Sequence, residues 1–470
     1  MPQLTCARTV TAALALLIAG AFLPAANASA GTGAPPAASG VWQVDGYGTD
    51  VVIGAGLLLE YQTTAVSCLP GVSARPTGRP AAGSTVWTDD EGQVYRFRPG
   101  SAPDRAVLHL DGSAGDLRLR RIAALPPGCG AAAAADPVRV FDVFWATFAE
   151  NYPFFAAKGI DWQSVRAHYR PLVHAGMGDA ALFAVLRDMV APLHDAHVSL
   201  DAGRVGRFAA GRPGTVPPGP ELDQQVKDYI RRTDLGGLPF HEYARGRISW
   251  ADLPNGQGYL RISGFGGYTP DPDDPYAGNS AVLESALDTV LTPARTRRLH
   301  GLIIDLRVNG GGSDALGLQI AARLTDRPYL AYAKRARNQP QDPTRFTTPQ
   351  PIEVRPADSV THYTGPVAVL TGGSTVSAGE TFTQALMGRP GGALRVGQPT
   401  QGVFSDVLDR QLPNGWSFGL PNEEFLTAAG TTFDGRGIPP QLTEPVFTPA
   451  EFAQGRDSAF AAAEAALSGL

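Results

Sequence analysis

The sequence predicts an α/β core preceded by a helical segment and a small β-rich N-terminal domain. Three observations carry this. A buried strand opening into a glycine turn occurs twice, at 302–306 before Asn309-Gly310-Gly311-Gly312 and at 367–370 before Gly372-Gly373. Helical stretches at 280–291 and 378–386 accompany these runs, and a further apolar strand follows at 394–396. Such alternation stacks parallel strands against helices. Second, residues 40–125 hold only short apolar runs between turn residues, the pattern of an antiparallel sheet or small barrel. Third, Val140, Phe141, Phe144, Trp145 and Phe148 recur at helical spacing.

Taken in order, residues 1–30 are a secretory signal peptide. Arg8 precedes an apolar run at 12–23, and Ala28-Ser29-Ala30 is a small-residue cleavage site. The run is too short to span a bilayer and nothing later reaches the required length. An exported protein without membrane insertion is expected, secreted or periplasmic. After a linker at 31–39 comes the β-rich module, 40–129. Cys6 leaves with the signal, so Cys68 and Cys129 are expected to pair in an oxidising compartment.

The helical segment spans 136–205. Asp136-Pro137 places an N-cap residue before a proline at the first helical position. Asp179 is expected to cap a second helix running through Leu182, Val185, Leu186 and Met189, and Leu193-His194-Asp195-Ala196-His197 follows it. These apolar stripes read as core and call for no cofactor. Residues 201–247 are Gly/Pro-rich and weakly patterned. The core, 246–450, opens with a hairpin across Pro254-Asn255-Gly256 and holds another across Asn414-Gly415. The acidic loop at 270–275 lacks the glycine and ligand spacing of a calcium loop, so no metal is expected. Thr448-Pro449 announces a C-terminal helix, 451–470. The net charge is −5 with basic residues scattered, which argues against nucleic-acid binding.

The chemistry centres on Thr371-Gly372-Gly373-Ser374-Thr375-Val376-Ser377-Ala378-Gly379-Glu380. A strand, a small-residue turn and a helix place Ser377 at a helix N-terminus, where free amides and the dipole favour a developing anion. Two readings stand. Ser377 is a nucleophile, or it forms a capping box with Glu380. The turn at 310–312 likewise reads as part of an oxyanion hole or as an ordinary strand-to-helix turn.

Asp305-Leu306-Arg307-Val308-Asn309-Gly310-Gly311-Gly312, Thr375 to Glu380, Gly397-Gln398-Pro399-Thr400-Gln401-Gly402 and Gly435-Arg436-Gly437-Ile438-Pro439-Pro440 together resemble the tail-specific (C-terminal-processing) serine peptidases. The resemblance implies a Clp/crotonase-related core, Ser377 as nucleophile, and an oxyanion hole from Ala378 with Gly310 or Gly311. Well-known members place a lysine base after the Gly-x-x-Thr-x-Gly motif, where this chain has Val403. Lys334, the lysine of the core, stands in a basic, surface-like run with Arg335 and Arg337. The tricorn-like branch instead takes a histidine from the helical segment, and His197 matches it. Its orienting acid corresponds to Asp434, with Glu423 and Glu424 as rivals. Asp195 and His194 read as local structure, and Arg436 as a competing partner for Asp434. The stretch between Leu200 and Ile248 is too short for a PDZ module, the family's usual grip on a substrate C-terminus.

The reading is therefore an exported serine endopeptidase acting on peptides or unfolded protein. Two alternatives stay open. The retinoid-binding protein of the eye resembles this family, so the fold also serves as a non-catalytic ligand carrier. The same apparatus would also hydrolyse small esters.

Overall fold

Side chains of the strand Gly301–Asp305 alternate between two cores, and that alternation sets the architecture. The computed structural model describes residues 38–54, 56–77, 85–131, 133–271 and 274–469. In it this strand lies at the middle of a seven-stranded sheet. The order is His241–Tyr243, Ile248–Asp252, Gln257–Ile262, Gly301–Asp305, Val367–Thr371, Leu394–Gly397, Leu442–Thr443. The first three run antiparallel to their neighbours, and from Gln257–Ile262 onward the pairing is parallel.

Leu302 and Ile304 share a core with Leu283, Ile320 and Phe382 from the helices Tyr276–Val290, Asp314–Ala322 and Ala378–Met387. Ile303 joins Val226, Ile230, Phe460 and Ala463 from Pro220–Thr233 and Ser458–Ser468. Successive strand residues point to opposite faces, so a strand buried on both sides is an unbroken apolar run. The helix Pro220–Thr233 falls where the sequence looked weakly patterned. Its buried apolar residues are confined to Val226, Tyr229 and Ile230, and its cap, Gly219, makes no side-chain bond.

The helix Pro137–Asn151 starts as expected, with Asp136 accepting from the Val138 and Arg139 N–H groups. Asp179 does not cap the helix Asp179–Val190. It is the first helical residue, and Gly178 takes the cap position. Phe141, Phe144, Phe148, Leu186 and Met189 pack with Leu200, Phe418 and Leu420. The latter three belong to a four-stranded sheet ordered Arg207–Ala209, Ser199–Asp201, Ser417–Pro421, Val407–Gln411. Ser199 pairs with Gly419, and so does Asp409 from the other side. A Cβ on Gly419 would lie 2.8 Å from Val407 Cγ1 and 3.0 Å from Ser199 Oγ, so only glycine fits this crossing. The sheet thereby carries the segment just before Ser199, which holds His197, toward the loop just before Val407.

The β-rich module is a closed eight-stranded barrel, Gly40–Val44 through Leu117–Ile122. Trp42, Trp87, Phe97, Leu108 and Leu119 fill its interior. Its first turn reaches the core: Tyr47 donates to the Glu423 carboxylate, and Asn422 Nδ2 donates to the Gly46 carbonyl at 3.2 Å. Cys68 and Cys129 are bonded, tying the strand Ser67–Pro76 to the chain ahead of the first helix. The signal peptide at 1–30 lies outside the described residues. Among the described residues no helix is long and apolar enough to cross a membrane.

Candidate active site

Ser377 sits at a bend that its neighbours over-determine. The buried strand Val367–Thr371 ends at Gly372, and Ser374–Thr375 then pairs in parallel with Val308–Asn309. Thr375 Oγ1 donates to the Leu306 carbonyl at 2.7 Å, and the Val376 N–H to the Asn309 carbonyl at 3.0 Å. With both sides pinned, Ser377 adopts φ 56°, ψ −121°, a conformation that L-residues avoid, and the helix Ala378–Met387 begins at the next residue. Ser377 itself is half-buried. Its N–H lies 3.1 Å from the Val403 carbonyl and 3.2 Å from Glu380 Oε2.

Glu380 does more than the capping reading foresaw. Its fully buried carboxylate also accepts from the Gly402 N–H at 2.6 Å and the Val403 N–H at 2.9 Å. One carboxylate thus clamps the Gly397 to Gly402 motif against the Ser377 bend. Burial pushes its pKa up to about 7, against the pull of these donors. The fourth motif closes on the third: the Gly435 N–H donates to the Gly402 carbonyl at 2.7 Å. A Cβ on Gly437 would come within 2.0 Å of the Thr400 carbonyl oxygen. Glycine is required at Gly437.

The glycine turn touches Ser377. At φ +79°, a Cβ on Gly311 would be 2.6 Å from Ser377 Cβ. The turn's amides are not free here, however. The Gly311 N–H donates to Asn309 Oδ1 at 2.9 Å, and the Gly310 N–H to the Ser263 carbonyl at 3.3 Å. Of the three expected oxyanion donors, Ala378 alone makes no N–H hydrogen bond among the described residues. The two glycine amides are engaged, which the sequence could not show.

The His197 segment reaches the same place through Gln401. A Cβ on Gly211 would be 2.8 Å from Gln401 Nε2 and 3.6 Å from Ala196 Cβ, and the Gln401 N–H donates to the Thr375 carbonyl at 3.0 Å. His197 Nδ1 is buried without a hydrogen-bond partner. No hydrogen bond joins His197 to Ser377 or Asp434 among the described residues. Burial pushes the imidazole below its usual value, and the charges of Asp195 and Asp406 partly offset that. Asp195 anchors the loop, accepting from the His197 N–H at 3.0 Å and the Tyr152 hydroxyl at 2.9 Å.

Asp434 accepts from Thr432 Oγ1 at 2.5 Å and the Phe404 N–H at 3.3 Å. Burial holds it well above the usual carboxylate range, and the nearby Asp195 and Glu380 push the same way. Arg436 does not pair with it; the guanidinium lies over Phe433 and donates to the Thr432 carbonyl. The rival glutamates are spent elsewhere. Glu424 pairs with Arg335 at 2.6 Å. Glu423, buried rather than solvated, pairs with Lys334 at 3.0 Å. Lys334 is no surface residue either. It is buried and also held by Asp406 at 3.1 Å, and those two charges keep its pKa raised despite burial. A lysine held charged is no base. Asp406, which pairs with Lys334 and whose charge also acts on His197, carries no motif that would have marked it.

Residues 256–443 match peptidase family S41, and residues 134–191 match the tricorn protease C1 domain. No curated protein matches the chain. Among solved structures, a candidate peptidase from Parabacteroides merdae is 27% identical, with a TM-score of 0.59 over 71% of this chain and 97% of its own. Mature CPAF stands further off, at 15% identity and a TM-score of 0.48 over 68% of this chain and 94% of its own. The S41 match spans the glycine turn, Ser377 and Asp434, and the C1 match ends just before the His197 loop. The chain thus carries a peptidase family S41 domain over residues 256–443, with a segment similar to the tricorn protease C1 domain ahead of it.

Proposed function

We propose that this peptidase is exported and hydrolyses peptides or unfolded protein through Ser377, His197 and Asp434. The observation that carries the reading is the positive-φ bend at Ser377, held by Glu380 and facing Gly311. Strain maintained by so many contacts is typical of a working nucleophile. Ser377 Oγ attacks the substrate carbonyl while His197 takes its proton. The tetrahedral oxyanion meets the Ala378 N–H at the positive end of its helix. Release of Gly311 from Asn309 Oδ1 adds the second donor. The imidazolium then returns its proton to the leaving amine. Asp434 receives the other ring N–H of His197; it has no cationic partner among the described residues, and an imidazolium beside it draws it into the charged form. Export is supported by the 1–30 pattern and by the Cys68–Cys129 bond, which persists in oxidising compartments.

The pH profile tests the base. A His197 shifted downward by burial stays neutral to lower pH than a free imidazole. The acidic limb of kcat/KM on a neutral peptide is therefore expected below about 6.5. His197→Ala removes the activity. A rising limb centred well above 7 that survives in His197→Ala would contradict the assignment.

Asp434→Asn is expected to lower kcat on the order of 10²- to 10⁴-fold, because an amide can donate to the ring and fix the wrong tautomer. Glu424→Gln, whose partner is Arg335, changes kcat little. A near-normal Asp434→Asn enzyme beside a crippled Asp406→Asn enzyme would move the orienting role to Asp406.

A further inference from the structure

A groove of 840 Å³ opens beside the glycine turn, walled by Pro220, Arg245, Arg247, Ser263, Phe265 and Gly311. Its acid and its lysine are already matched: Asp223 pairs with Arg261, and Lys227 with Glu242 at 2.7 Å. Its two arginines are not. Arg245 Nη1 donates to the Thr269 carbonyl at 2.8 Å, and Arg247 Nη1 to the Ser263 carbonyl at 3.4 Å. Neither has an acidic partner among the described residues. The Ser263 hydroxyl is buried with no hydrogen-bond partner. Gly264 separates Arg247 from the turn: a Cβ there would be 3.1 Å from Arg247 Nη1 and 3.4 Å from the Gly311 carbonyl oxygen. The guanidinium is thus within roughly two extended residues of the turn that touches Ser377.

We infer that Arg247, flanked by Arg245, binds a carboxylate of the substrate peptide one or two residues from the cleaved bond. The inference rests on Ser377 being the nucleophile. A guanidinium fork with spare donors fits a carboxylate in two-pronged fashion, which a lysine cannot do. With no PDZ module in the chain's 200–248 stretch, the groove gives the core its own means of selecting substrate. The carboxylate is either a free C-terminus or an Asp or Glu side chain.

Two peptide pairs separate these sources. One pair differs only in a free or amidated C-terminus; the other has amidated ends and Glu or Gln near the cleaved bond. Calorimetry on Ser377→Ala protein should show one charged member binding roughly 10- to 100-fold tighter than its neutral twin. In the active enzyme the same ratio appears in KM. Arg247→Gln should erase it, and Arg247→Lys should restore part of it. Equal affinities throughout, or a preference that survives Arg247→Gln, would overturn the inference. If the wild-type enzyme cleaves none of the peptides but Ser377→Ala protein keeps an Arg247-dependent preference, the hydrolytic reading fails and the carboxylate site stands.

Discussion

Ser377→Ala should reduce peptide hydrolysis by roughly 10⁴-fold or more while the protein keeps its fold. Alanine occupies the φ 56° bend with about the same strain as serine, and the backbone bonds to Val403 and Glu380 do not involve the side chain. Turnover and melting temperature, measured on the same preparation, separate the two roles that the sequence left open. Lost turnover with unchanged melting marks a nucleophile. Retained cleavage with a melting temperature lowered by several degrees would return Ser377 to the part of a helix cap, whose loss typically costs about 1 kcal/mol.

Arg307→Met should be the most damaging single change to stability, costing about 3–5 kcal/mol. Arg307 is buried beneath the sheet, where its Nη1 donates to both oxygens of Asp457 at 2.6 Å and its Nη2 to Asp305 at 2.6 Å. Its guanidinium also lies 4.2 Å from the Phe447 ring centroid. Methionine fills much of the volume but leaves two carboxylates facing each other without a cation. The site is already crowded with acid: burial first, and then Asp457, push Asp234 up to about 9. The loss should be read as a lower denaturant midpoint and should be partly recovered by adding Asp457→Asn. A midpoint unchanged in the single variant would mean that the network contributes nothing net. The consequence for function is direct, because Arg307 leads straight into Asn309 and the glycine turn.

The parts of the fold legible in the sequence are those where burial imposes a period. Residues 302–304 and 367–370 are apolar throughout because both faces of their strands are covered, and the Phe141, Phe144, Phe148 stripe marks a helix because one face is covered. The helix Pro220–Thr233 escaped because it buries few apolar residues and starts without a side-chain cap. Lys334 was misread for a related reason. Its neighbours Arg335 and Arg337 suggest a solvated run, yet strand alternation turns Lys334 inward, onto Glu423 and Asp406 from distant segments. Ser377 was visible because its strand, turn and helix are contiguous. The positions of Asp406 and the engaged Gly310 and Gly311 amides depend on contacts between remote segments, which no local pattern records.

The central claim is that Ser377 is a nucleophile activated by His197, and covalent labelling tests it most directly. A fluorophosphonate should add once to the wild-type protein at neutral pH, on the peptide that contains Ser377, and the adduct should vanish in Ser377→Ala and form far more slowly in His197→Ala. An adduct on another residue, no adduct at all, or labelling of Ser377 at an undiminished rate without His197 would contradict the account.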